Sequence, residues 1–94
     1  MPKNDHEKLA AFLKQMLKGK KLTELPRLFR ALGDLTRLRL FHTLLTKGEQ
    51  SVGELCEKLD LAQPAASHHL SLLRRHRLVA NVRAGRNIFY SVAK

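Results

Sequence analysis

Apolar residues recur every three or four positions from residue 6 to residue 45, and this spacing predicts three helices. The first runs from His6 to Lys18 and ends at Gly19. Its apolar positions are Leu9, Phe12, Leu13, Met16 and Leu17. Such a wide apolar stripe is typical of a helix that packs in a core or a dimer interface. A basic amphipathic helix that lies on a membrane is the alternative.

The second and third predicted helices follow directly. The second begins after Thr23, a candidate cap, and ends at Gly33; its apolar positions are Leu25, Leu28, Phe29 and Leu32. Asp34 starts the third, which is apolar over most of its circumference, at Leu35, Leu38, Leu40, Phe41, Leu44 and Leu45. A helix that is apolar nearly all round lies at the centre of a small domain, so we expect the third helix there. Residues 47–50 are predicted to be a loop.

Residues 51–75 predict two short helices joined by a tight turn. Ser51 and Glu54 have the spacing of a capping box, which marks the start of the first helix. Asp60 lies at the turn, where a left-handed backbone conformation is often needed. Cys56 is placed on the packing face of this first helix.

The second helix of the pair starts around Gln63 and has two different faces. One face carries Ala66, Leu70 and Leu73, with His69 at its edge, and the other carries Pro64, His68, Ser71 and Arg75, flanked by Ser67. A helix that enters a DNA groove needs short side chains near its start and polar groups that reach base edges. An ordinary amphipathic surface helix has the same pattern, so this pattern alone leaves both interpretations open.

Two strands are predicted after the helix pair, at Leu78–Arg83 and Asn87–Val92, because apolar residues alternate and β-branched or aromatic residues are frequent there. Gly85 supplies the positive φ that the intervening turn requires. Arg83 and Arg86 then project from the tip, where arginine reaches phosphates or the minor groove. A solvated charged turn is the alternative, and it is less favoured because the hairpin directly follows the helix pair.

The composition narrows the class of partner. Eighteen Lys and Arg residues against eight acidic residues give a net charge of +10 in 94 residues, and such a field attracts nucleic acid or an anionic membrane. Four Phe, one Tyr and no Trp argue against a stacking platform for single-stranded nucleic acid. The length favours a single domain, residues 1–94, with a small core that gains stability by oligomerising.

Other classes are disfavoured by what the sequence lacks. Cys56 is the single cysteine, so no intramolecular disulfide forms. No secretory signal or apolar run of membrane-spanning length is visible, and we expect a reducing, cytoplasmic location. No nucleophile–base–acid set, phosphate loop or HExxH motif is present, so we do not expect an enzyme.

The chain resembles the ArsR/SmtB family of small bacterial and archaeal winged helix-turn-helix repressors. The resemblance runs from Leu25 to Val92 and is carried by LFRALGDLTRLRLFHTL at 28–44, SVGELCEKLDLAQPAASHHLSLLR at 51–74 and GRNIFYSV at 85–92. It implies a mainly α fold with a small β-hairpin (α+β), about five helices and a two-stranded wing. It also implies a homodimeric repressor that binds an imperfect palindrome in double-stranded operator DNA.

The resemblance makes residues 63–74 the recognition helix and implies a set of DNA contacts. These are Gln63, Ser67 and His68, more weakly Ser71 and Arg75, and on the wing Arg83, Gly85, Arg86 and Asn87. Asp60 and Arg77 stand where the family commonly has glycine. Both turns must therefore form without it.

Many relatives respond to metal ions, and neither of two common sites is expected here. One uses several cysteines in the first helix of the pair, where this chain has only Cys56, too few for a closed thiolate site. The other uses ligands on a helix after the wing, whereas this chain ends at Lys94. The five histidines are scattered, at His6, His42, His68, His69 and His76. We therefore expect no metal site and no cofactor, and the effector stays unknown. A metal- or redox-responsive sensor and a less specific architectural DNA-binding protein remain the alternatives.

The first predicted helix should form the dimer interface, through Leu9, Phe12, Leu13, Met16 and Leu17. Removal of residues 1–18 is expected to give a monomer with much weaker operator affinity, because two half-sites can no longer be bound together. Sedimentation and operator titration of the truncated chain measure this. A truncated dimer that binds normally would contradict the assignment.

Overall fold

The computed structural model describes residues 7, 11 and 25–93, and residues 25–93 contain four helices and three strands. In chain order these are α1 (Leu25–Leu32), α2 (Leu35–Lys47), β1 (Gln50–Ser51), α3 (Val52–Leu59), α4 (Gln63–Arg75), β2 (Val79–Ala84) and β3 (Asn87–Val92). The first predicted helix, residues 6–18, lies outside the described residues except for Glu7 and Ala11, which are helical. The five proposed interface residues of that helix lie outside them as well.

The sheet has three antiparallel strands, in the order β1-β3-β2, and not the two that were predicted. Gln50 lies opposite Tyr90 and Ser51 opposite Phe89. The sequence predicts a loop at residues 47–50, and the structure corrects this at Gln50, the first residue of β1. A two-residue strand has no alternation of its own to detect, and it exists only because the fold brings it beside β3.

The hairpin of β2 and β3 differs from the prediction by one residue. β2 begins at Val79 and includes Ala84, which pairs with Asn87. The connection is therefore the two-residue turn Gly85–Arg86. Gly85 has a φ of 64°, as the sequence predicts for this position.

The core is built around α2, as expected. Leu40 and Phe41 are completely buried, and the other buried apolar residues are Ala31, Leu44, Val52, Leu55, Ala66, Leu70, Leu73, Leu78, Val79 and Tyr90. One part of the expectation is wrong, because Leu35 is 70% exposed. At about 100° per residue, Leu35 lies on the side of α2 opposite Leu44, so it faces away from the core.

Local hydrogen bonds place the starts of α2 and α3 where the sequence predicts them. The Asp34 carboxylate accepts a bond from the backbone N–H of Arg37 at 3.1 Å. The Ser51 hydroxyl accepts from the Glu54 N–H at 3.1 Å, while the Glu54 carboxylate accepts from the Ser51 N–H at 2.9 Å. This reciprocal pair is the predicted capping box.

Within residues 25–93, two residues that are not glycine adopt left-handed conformations, and they end the two helices of the helix-turn-helix. Asp60 (φ 54°) closes α3, and the N–H of Leu61 bonds the Cys56 carbonyl at 3.0 Å. Arg77 (φ 63°) closes α4, with its own N–H bonded to the Arg74 carbonyl. Both helices thus end at a left-handed residue other than glycine, as the sequence predicts, and the chain turns sharply into the next element.

The α4 exit also buries the residue that leads into β2. The N–H of Leu78 bonds the Leu73 carbonyl at 3.0 Å, and both side chains lie in the core. These are the two hydrogen bonds and the apolar contact of a Schellman motif. Within residues 25–93, no helix is long and apolar enough to cross a membrane.

Arg77→Gly should stabilise the protein by about 0.5–1 kcal/mol, because glycine adopts a positive φ without the steric cost that arginine bears. Urea unfolding measures the change. Arg74→Gly is the matched control: it removes the same charge from the last turn of α4, where glycine is expected to destabilise by about 1 kcal/mol. A destabilised Arg77→Gly variant would contradict the assigned exit.

The backbone N–H of Ser51 holds the pKa of Glu54 below its ordinary value of 4.5. The unfolded chain therefore binds this proton more tightly than the folded chain. The resulting stabilisation is present above pH 4.5 and is lost as the pH falls through the folded pKa.

Glu54→Gln should remove this part of the acid dependence, so native and variant midpoints of urea unfolding should converge as the pH falls below 4.5. Unfolding titrations across that range measure it. Glu57→Gln, which removes a charge from the same helix outside the capping box, is the control. A gap between native and Glu54→Gln that stays constant with pH would contradict the linkage.

Candidate nucleic-acid interface

α4 buries one face and exposes the other, as the sequence predicts. Ala66, Leu70 and Leu73 have no accessible surface. Every candidate contact on the opposite face is exposed: Gln63, Ser67, His68, Ser71 and Arg75. The buried face packs against α2, α3 and β2. The exposed residues are therefore presented by a helix that is anchored along its length.

The start of α4 leaves its backbone donors open to a ligand. Ala62 occupies the cap position and provides no side-chain acceptor, and Pro64 lies in the first turn. The first N–H groups of a helix have no partner within the helix, and an uncapped start can receive a phosphate oxygen. Gln63 is exposed at this same end, so backbone and side-chain donors lie together.

The two adjacent histidines of α4 have different environments. Their ring centroids are 5.6 Å apart and the rings are tilted by 60°. His68 is exposed on the polar face. His69 is half-buried, and its Nδ1 lies 3.4 Å from Nη1 of Arg37 on α2. Only His68 therefore lies among the predicted contacts, and His69 is at the edge of the packing face, as predicted.

Ser71, Arg74 and Arg75 line an open depression of about 370 Å³ at the end of α4. The Ser71 hydroxyl donates to the His68 carbonyl at 2.8 Å, which fixes that side chain against the helix. Arg74 is not among the residues that the sequence predicts to contact DNA. Its position next to Arg75 and three residues after Ser71 was the available signal, because that spacing brings side chains to one side of a helix.

The wing presents its candidate residues at the tip of a thin hairpin. Arg83, Gly85, Arg86 and Asn87 are all exposed. Arg83 pairs with Ile88 across the hairpin, so its backbone is fixed by the sheet register. Arg86 lies in the turn itself, which leaves its side chain room to reach a phosphate.

Acidic residues are absent from the segment that forms these surfaces. No Asp or Glu occurs after Asp60, whereas the same segment contains five arginines, Arg74, Arg75, Arg77, Arg83 and Arg86. All five are exposed. Residues 61–94, which form α4 and the wing, therefore carry no negatively charged side chain, which suits a polyanion.

The described residues contain no group of three or more His, Cys, Asp or Glu side chains placed to hold a metal ion. Cys56 is half-buried at the edge of the core, next to its buried neighbour Leu55. The predicted packing position of this thiol is therefore confirmed.

The chain is similar in sequence to known helix-turn-helix transcriptional regulators. A helix-turn-helix domain family matches residues 27–82. The transcriptional repressor SdpR of Bacillus subtilis is 33% identical over 64 residues, which are 68% of this chain and 70% of that protein. The transcriptional repressor SmtB homolog of Synechocystis is 43% identical over 65 residues, 69% of this chain but only 48% of that protein. This chain thus spans about half the length of the SmtB homolog.

The fold is shared with solved regulators. The structure of reduced HlyU from Vibrio cholerae, a transcriptional activator, superposes with a TM-score of 0.73 at 33% identity and covers 86% of this chain and 82% of that chain. The likeness confirms the predicted winged helix-turn-helix fold. Since the matched proteins are transcriptional regulators, the prediction that this chain is not an enzyme is also confirmed. The chain belongs to the ArsR/SmtB family of helix-turn-helix transcriptional regulators.

Proposed function

We propose that the protein is a sequence-specific DNA-binding repressor that acts as a homodimer on a palindromic operator in the cytoplasm. The observation that carries the proposal is the exposed face of α4 beside an acid-free, arginine-bearing wing. A basic surface alone would bind any duplex, but a helix with a buried face and a small, polar outer face can enter the major groove.

In this proposal, α4 reads bases. Gln63 lies at the uncapped start of the helix, with Ser67 and His68 on the following turn. Glutamine can bond an adenine edge in the major groove, and short side chains permit close approach. Ser71 and Arg75, joined by Arg74, continue toward the phosphates at the far end of the helix.

The wing adds affinity without reading sequence directly. In this proposal the exposed Arg83 and Arg86 neutralise phosphates, and Gly85 and Asn87 allow the tip to approach the DNA backbone. Each neutralised phosphate releases counterions, so the affinity falls as salt rises.

A palindromic site requires two copies of α4, held about one turn of DNA apart. We assign dimerisation to the predicted helix at residues 6–18, which lies outside the described residues. Bound at a promoter, such a dimer obstructs transcription. SdpR is named a repressor and HlyU an activator, so repression is assigned here by similarity to SdpR and the SmtB homolog.

A less specific, architectural DNA-binding role is the second candidate, and the net charge of +10 favours it. Competition between a genomic site and random duplex at fixed salt separates the two. A sequence-specific repressor retains the site, whereas an architectural protein distributes equally between both duplexes.

Arg86→Ala should weaken binding to all duplexes and lower the slope of affinity against salt by about one ion, because one phosphate contact is lost. Gln63→Ala and His68→Ala should instead relax sequence preference, by about 1–3 kcal/mol at the contacted base. Binding titrations on a selected site and on random duplex, each at several salt concentrations, measure both effects.

Lys47→Ala is the matched control, since it removes a basic residue outside α4 and the wing and should leave sequence preference unchanged. Equal losses on specific and random duplex for all three variants would count against the assigned roles.

A further inference from the structure

The guanidinium of Arg37 joins three parts of the fold. Its Nε donates to the Ala31 carbonyl at 2.7 Å, and its Nη2 to the Arg30 carbonyl at 3.3 Å. Both carbonyls lie in the last turn of α1, where helix carbonyls have no partner within the helix. The remaining amino group, Nη1, lies 3.4 Å from Nδ1 of His69 on α4.

Because the guanidinium is planar, the bonds made by two of its nitrogens fix the direction of the third. Nε and Nη2 lie on one edge, and two consecutive carbonyls occupy that edge. Nη1 is therefore directed away from α1 and has little freedom to turn. The backbone of Arg37 is also held, because its N–H bonds the Asp34 carboxylate that caps α2. A fixed donor at the α1–α2 junction thus faces the recognition helix.

His69 contacts this donor through one ring nitrogen, Nδ1. Arginine has no acceptor, so Nδ1 must carry its lone pair and the ring proton of neutral His69 must reside on Nε2. The residue lies between Ala66, Leu70 and Leu73 on the packing side and His68 on the exposed side. A rotation of α4 about its own axis would carry Nδ1 away from Nη1 and move His68 by the same angle.

We propose that Arg37 is a positioning residue for operator recognition: it fixes the rotation of α4 by holding the Nε2-protonated form of His69 against the end of α1. The proposal rests on the proposed function, because discrimination between duplexes is what the position of α4 would control. Neither Arg37 nor His69 needs to touch DNA for this. The buried face already anchors α4, and the Arg37–His69 contact selects one rotation among those that apolar packing tolerates.

The first arm of the test compares two replacements of His69. Asparagine places its Oδ1 near the position of Nδ1 and can accept from Arg37, whereas leucine has the same branched shape without an acceptor. His69→Asn is expected to retain the ratio of affinities for a duplex selected from a random-sequence pool and for unselected random duplex. His69→Leu is expected to lower that ratio about three- to tenfold, the effect of losing one hydrogen bond of ordinary net strength.

Arg37→Lys supplies the second arm. Lysine keeps the charge, but a single ammonium cannot span two carbonyls and an imidazole as a rigid fork does. It should lower the ratio as His69→Leu does. The double variant should lose no more than either single variant, because both remove the same contact. Thermal unfolding of every variant is measured in parallel. The control is Arg39→Lys, which makes the same replacement at another arginine of α2, one that bonds the Leu59 carbonyl and not His69.

A spectroscopic arm tests the contact without DNA. Nitrogen-15 spectra of the histidine rings in the free protein should show His69 with the proton on Nε2, and exposed His68 is the internal reference. Arg37→Lys should give a mixture of the two ring tautomers at His69. A proton on Nδ1 of His69 in the native protein would overturn the proposal.

The possible outcomes distinguish a failure of the positioning role from a failure of the proposed function. If the native protein prefers its selected duplex and His69→Leu and Arg37→Lys discriminate equally well, the positioning role is refuted and the proposed function stands. If the ratio falls only in variants whose unfolding temperature also falls, and His69→Asn does not rescue it, the contact is merely structural and the proposal fails. If the native protein shows no preference, the proposed function is refuted and the positioning role with it.

Discussion

The burial of α2 is the constraint on which the rest of the fold depends. One stripe of this helix, Leu40, Phe41 and Leu44, is almost completely removed from solvent. α2 packs against α1, α3, α4 and β3, so each of these elements takes its position from the same surface. In a small domain, few other residues can replace such a shared core. The exposed face of α4 is a consequence, because its opposite face is required to cover α2.

Two arginines at the polar edges of α2 bond the C-terminal ends of neighbouring helices. Arg39 donates to the Leu59 carbonyl at the end of α3, at 3.4 Å. Arg37 donates to the last turn of α1 and faces His69 on α4. Helix C-termini carry unpaired carbonyls and partial negative charge, which a guanidinium satisfies. One helix thus supplies both the apolar surface on which its neighbours pack and the cations that bond the ends of α1 and α3.

The proposed DNA-binding surface differs from the rest of the chain in its charge. All acidic residues precede Leu61, and α4 and the wing follow. In the proposed function, phosphate affinity comes from arginines anywhere on this surface, while sequence preference depends on the position of α4. The resemblance to the ArsR/SmtB family implied nine candidate contacts, five on α4 and four on the wing, and the structure exposes them all. Arg74 was missed because its neighbour Arg75 fitted the polar face better at the assumed 100° per residue.

Features that depend on neighbouring residues within one element could be predicted from the sequence alone. Local backbone sterics, short-range hydrogen bonds and residue spacing produce the capping box at Ser51, the left-handed residues Asp60 and Arg77 and the two faces of α4. By contrast, the pairing of β1 with β3 and the contact between Arg37 and His69, residues 32 positions apart, became visible only in the folded structure. Neither leaves a periodic signal, because each depends on where the packing of α2 places segments that are distant in the chain.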